Sequence, residues 1–92
     1  MPIGEFIKKL REKRGLNQNE LAELLYVDPS LVCKWEKGKK RVTVDTLLVL
    51  LDLLKVTPEE FKELRDSVTR NIKSFLASNN ITLYWNYARS NR

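Results

Sequence analysis

An all-α fold is predicted for this chain by three observations. Apolar residues recur at spacings of three and four, each such run after the first begins on a side chain that caps helices, and two of the runs stop at glycine. The expectation is a five-helix domain with a C-terminal helical extension and a short β-strand at its end. At 92 residues the chain supports one core rather than two, and 42% hydrophobic with 32% charged residues is ordinary for a soluble globular protein.

The first helix falls in GEFIKKLREKR (4–14), where Phe6, Ile7 and Leu10 form one apolar stripe and Gly15 stops the run. Asn17 caps the second, Glu20 completes a capping box, and Leu21, Ala22, Leu24 and Leu25 are its apolar positions. Asp28 caps the third, with Pro29 in the first turn, where a missing N–H costs nothing. Leu31, Val32 and Trp35 supply its inner face, and Gly38 ends it. Thr43 caps a fourth helix carrying Leu47, Leu48, Leu50, Leu51 and Leu54, nearly apolar all round and so expected at the centre of the core. TPEE (57–60) starts a fifth, with Thr57 as cap, Pro58 first and Glu60 third. Phe61, Leu64, Val68, Ile72 and Phe75 then carry either one long helix to about Ala77 or two helices broken near Ser67. After a turn signal at 78–80, Ile81, Leu83, Trp85 and Tyr87 alternate with polar residues and Tyr84, as in a strand. A lone strand needs a partner, and its copy in a second subunit would serve.

The net charge is +5, placed unevenly: +4 in residues 1–41 and +1 in 42–92, with four bases among the five residues 37–41. A local cluster beside paired short helices points to an anionic partner more than a mild global excess does. With no histidine and one cysteine, Cys33, the chain lacks the means for disulfide frameworks, thiolate or imidazole metal sites and His-based acid/base chemistry. No metal, no cofactor and no enzymatic activity are expected. The lone thiol, the short apolar runs and an N-terminus without an apolar signal core are read as a cytoplasmic, non-membrane protein.

Asn17–Gly38 is the most informative stretch. Two short helices meet there at a three-residue junction, so that the first can brace a second narrow enough to enter a DNA major groove. Through Gln18, Leu21, Ala22, Val27, Val32, Trp35, Glu36, Gly38, Lys40, Thr43 and Leu47 the chain resembles the phage Cro/repressor-type (Xre-like) helix-turn-helix family over about residues 4–65. Two positions depart from the family pattern. Tyr26 stands at the junction glycine, implying either backbone strain or a different bend, and Val42 stands at a proline.

The resemblance divides the chain into a DNA-binding domain (1–66) and an extension (67–92) for dimerisation or partner binding. It puts Asn17 and Gln18, at the start of the second helix, near a backbone phosphate. Pro29, Ser30, Cys33, Lys34 and Lys37 form the exposed face of the third helix, with Lys34 the foremost candidate for a guanine O6/N7 contact. Lys39, Lys40 and Arg41 are candidates for flanking phosphates rather than a merely solvated loop. Arg11 and Glu36 hold the places of a structural ion pair. Trp35 reads as core, Cys33 as a small filler, and Glu59, Glu60 and Glu63 with Lys62 and Arg65 as a solvated helix face.

The leading functional expectation is a transcriptional regulator, a phage-type or gene-cluster repressor, that binds a palindromic operator in double-stranded DNA as a homodimer. Val68, Ile72, Phe75, Ile81, Leu83, Trp85 and Tyr87 are the dimerisation candidates. The alternative is an antitoxin or similar interaction protein, whose aromatic tail would bind a protein partner while the same helices regulate its own operon.

Overall fold

Four of the five helices start on the caps expected for them. A computed structural model describes residues 2–78, arranged as α1 (Pro2–Lys13), α2 (Gln18–Leu25), α3 (Pro29–Glu36), α4 (Val44–Leu53) and α5 (Pro58–Ser78). The Asn17 side chain accepts from the Glu20 N–H and the Glu20 carboxylate accepts from the Asn17 N–H, each at 2.8 Å. Thr57 and Glu60 repeat that reciprocal cap at the head of α5, at 3.1 and 2.9 Å. Asp28 and Thr43 cap α3 and α4 through the N–H groups of Ser30 and Thr46. Each cap satisfies donors that a helix leaves without partners in its first turn.

The turn between α2 and α3 keeps a glycine-like path. Tyr26 sits at φ 55°, ψ 44°, and its backbone ends α2 in the left-handed conformation. For a tyrosine that costs ~1–2 kcal/mol. Of the two outcomes open in the sequence, the junction therefore accepts strain and does not bend away. The Val27 N–H closes the turn onto the Ala22 carbonyl at 3.0 Å.

The core gathers Phe6, Ile7, Leu10, Leu21, Ala22, Val32, Trp35, Leu50, Leu54 and Leu64. Within it α3 packs on both α1 and α2, α1 packs also on α5, and α4 packs on α2. The expectation of a central, fully wrapped α4 is thus corrected. Only Leu50 is buried within α4, joined by Leu54 just past its end. Val44, Leu48, Val49 and Leu53 remain 40–70% exposed. The fold brings too few neighbours to cover a helix that is apolar on every side. Leu24 of α2 is exposed as well. The α1–α3 approach is close enough to need Gly4, since a Cβ there would lie 2.3 Å from the Trp35 carbonyl oxygen.

α5 is one unbroken helix running through the 66/67 boundary. Leu64 is buried against the core and Val68 is half-buried, but Phe61, Ile72 and Phe75 are exposed. Glu60 departs from the solvated face expected of it. It is buried, and its two oxygens accept from Arg14 at 2.8 and 3.0 Å and from Lys13 at 2.9 Å. Arg14 also donates to the carbonyls of Leu54 and Lys55, tying α1 to the α4–α5 connection. Hydrogen bonds from Arg14, the Thr57 N–H and Lys13 hold the Glu60 carboxyl well below the usual carboxylate range. No helix among the described residues is long and apolar enough to cross a membrane. Ile81, Leu83, Trp85 and Tyr87, with the strand expected there, lie outside the described residues.

Candidate nucleic-acid interface

An ion pair beneath α2 and α3 fixes their geometry. Arg11 grips Glu36 with two hydrogen bonds, Nε to Oε2 at 2.7 Å and a terminal nitrogen to Oε1 at 3.0 Å. The two side chains are only 10% and 3% exposed. The third guanidinium nitrogen of Arg11 donates to the Leu16 carbonyl at 2.8 Å, so one guanidinium holds the end of α3 to the entry of α2. Gln18 adds a third strut, its Nε2 donating to Glu36 Oε1 at 3.0 Å. Burial opposes ionisation of Glu36, and the hydrogen bonds from Arg11 and Gln18 more than offset it, leaving the carboxyl below its ordinary range. The Arg11–Glu36 pair expected at these positions is present. The Gln18 link is not legible from spacing alone, because it depends on how α2 and α3 cross.

Above this frame α3 presents its outer face. Val32 and Trp35 point into the core, while Pro29, Ser30, Lys34 and Lys37 are exposed and Cys33 is half-buried among them. These positions recur at three and four, which puts them along one side of a two-turn helix. The chain then turns through Gly38, at φ 72°, into an exposed loop of Lys39, Lys40 and Arg41. The N–H groups of Lys39 and Lys40 both reach the Lys34 carbonyl, at 2.8 and 3.3 Å. The loop's cations are therefore held against the end of the helix that carries Lys34 and Lys37. None of these five bases forms an ion pair among the described residues.

The other predicted residues take different places. Asn17 is exposed, but its side-chain oxygen is committed to the cap. Gln18 is half-buried with one amide N–H given to Glu36, which leaves its second N–H and the N-terminus of α2 for a ligand. Asp28, expected only as the cap of α3, also borders this face. Its carboxylate stays at the exposed head of α3, where hydrogen bonding to Ser30, and more weakly the Lys34 charge, lower its pKa. Val68, Ile72 and Phe75 belong to α5 and not to this face. A short helix edged with polar and cationic donors, continued by a basic loop, fits a polyanion whose grooves also present acceptors.

A family model described as helix-turn-helix matches residues 7–61, which include α2, the strained turn, α3 and the basic loop. The chain belongs to the helix-turn-helix family. The Cro/repressor-type resemblance read from Gln18 to Leu47 is thereby borne out, as is the all-α fold. Over 69 residues the chain is 32% identical to the HTH-type transcriptional activator BcrR of Enterococcus faecalis, covering 75% of this chain and 34% of that protein. It is 38% identical over 50 residues to an HTH-type transcriptional regulatory protein of Thermococcus kodakarensis, covering 54% of this chain and 16% of that protein. The chain thus spans about a third or less of these relatives' length. Among solved structures, the restriction-modification controller protein C.AhdI from Aeromonas hydrophila matches with a TM-score of 0.58 at 34% identity, over 64% of this chain and 89% of that one.

Proposed function

We propose that this helix-turn-helix chain is a sequence-specific DNA-binding transcriptional regulator that seats α3 in the major groove. The observation that carries the reading is the α3 face, Ser30, Cys33, Lys34 and Lys37, continued by Lys39–Arg41, whose bases form no ion pair among the described residues. Lys34 donates to guanine O6 and N7, Ser30 and Cys33 adjoin neighbouring base edges, and Lys39, Lys40 and Arg41 neutralise flanking phosphates. The N-terminus of α2 with Gln18 binds a further phosphate. The names borne by its relatives, a transcriptional activator and a restriction-modification controller among them, support a regulator of this kind. The chain works as a binding module, not as a catalyst.

One eight-residue helix spans too little duplex for useful discrimination, so the reading includes a homodimer on a palindrome with half-sites about 34 Å apart. The exposed Ile72 and Phe75 on the C-terminal half of α5 support self-association. Occupation of a promoter by that dimer would repress transcription. Selection from a random duplex pool at two salt concentrations tests the proposal. A palindrome with half-sites one turn apart and a steep loss of binding with salt are expected. Salt-sensitive binding without any enriched sequence would overturn it.

A further inference from the structure

The outward side of α3 carries cations and neutral groups except at its head, where Asp28 adds an exposed carboxylate. Asp28 forms no ion pair among the described residues. Its hydrogen bonds come from Ser30, whose N–H donates to Oδ1 at 2.8 Å and whose hydroxyl donates to the same carboxylate. A carboxylate has lone pairs for about four donors, so the cap leaves about half of them open. The Ser30 bonds, and more weakly the Lys34 charge, keep the group ionised, and in that form it accepts without donating. Asn or Ser would cap α3 about equally well, so the cap alone does not require a full negative charge on the face of Lys34 and Lys37.

We infer that Asp28 is a specificity-determining residue that reads cytosine in the major groove, accepting from the N4 amino group while it caps α3. The inference rests on the DNA-binding reading above and adds a base to it. In that groove guanine and thymine present only acceptors, which repel a carboxylate. Adenine sets its N6 amino group beside the N7 acceptor, whereas cytosine offers an amino group with no acceptor of its own beside it. Rejection of the wrong bases thus contributes as much as the bond to the right one. Lys34 is the complementary reader, donating to guanine. Six positions of helix, about 9 Å at ~1.5 Å each, separate the two residues. The cytosine is therefore expected within about three base pairs of that guanine.

Competition binding of the full chain and of its Asp28→Asn and Asp28→Ser variants to the selected operator tests the inference. Each operator position is replaced in turn, Lys34→Ala locates the guanine, and helix content is measured alongside. Both replacements at position 28 cap helices, so helix content should stay unchanged. Wild type should lose roughly tenfold in affinity when the one cytosine in that window is replaced. Asp28→Ser should bind without preference there, and Asp28→Asn should shift toward adenine, whose N6 and N7 pair with an amide. Preferences at other positions stay. A cytosine preference kept in both variants would overturn the inference. An affinity change spread evenly over every sequence would do the same, since it marks a charge that reads no base. Helix content lost in both variants would make the charge structural and end the inference. An operator with no cytosine preference in the window would also overturn it, leaving the regulator reading standing. A wild-type chain that selects no sequence would overturn both.

Discussion

Two sets of basic residues meet different surroundings: one reaches carboxylates within the fold, the other faces solvent. Arg11, Lys13 and Arg14 reach Glu36 and Glu60, and through them tie α1 to α3 and to the α4–α5 connection. Lys34, Lys37, Lys39, Lys40 and Arg41 stand exposed without an ion pair among the described residues. On the function proposed above, the same side-chain chemistry becomes a structural tie where the fold supplies a carboxylate and an anion-binding edge where it does not. Net charge cannot separate these uses, because +5 counts both sets alike.

The comparison breaks most visibly at Arg11. Arg11→Ala leaves the Glu36 carboxylate buried with Gln18 alone, and should lower the unfolding free energy by about 3 kcal/mol in urea denaturation. Lys34→Ala on the opposite set should leave stability unchanged. Its effect is a loss of about 1–3 kcal/mol in binding to the selected operator, concentrated at one base position in a mismatch series. If Lys34→Ala unfolds the chain, or Arg11→Ala only shifts base preference, the division between the sets is wrong.

Acid sharpens the inner set. Glu36 and Glu60 both ionise below the ordinary carboxylate range in the fold. Their stabilisation is therefore full above the unfolded glutamate pKa of about 4.3 and is lost progressively as pH falls below it. Melting temperature should drop on acidification through that window, and Glu60→Gln should flatten the slope. The smallest effect is expected at the junction. Tyr26→Gly relieves the left-handed tyrosine and should raise monomer stability by about 1 kcal/mol, read by thermal melting at concentrations where the chain is monomeric.

Much of this was legible from local signals. Asn17 with Glu20, Asp28 before Pro29, and Thr57 with Glu60 announce helix starts because a cap involves residues within three positions of each other. The outer face of α3 and the basic loop follow from helical spacing once Trp35 and Val32 are placed inside. What failed depends on distant parts of the chain. Glu60 read as solvated because Arg14, 46 residues away, gives no sign in sequence that it will reach it. α4 read as central because its composition says that it is apolar, not how many helices arrive to cover it. Gln18 fell between the two: its place near the start of α2 was plain, but its bond to Glu36 was not.

The most direct test of an outer set reserved for phosphate is the salt dependence of operator binding, compared between wild type and a Lys39→Ala, Lys40→Ala, Arg41→Ala triple variant. If all three bases neutralise phosphates, the slope of log affinity against log salt should become shallower by about 2.7, with the operator preference kept. An unchanged slope would contradict the account, leaving the loop a solvated surface and the charge that meets DNA elsewhere on the molecule.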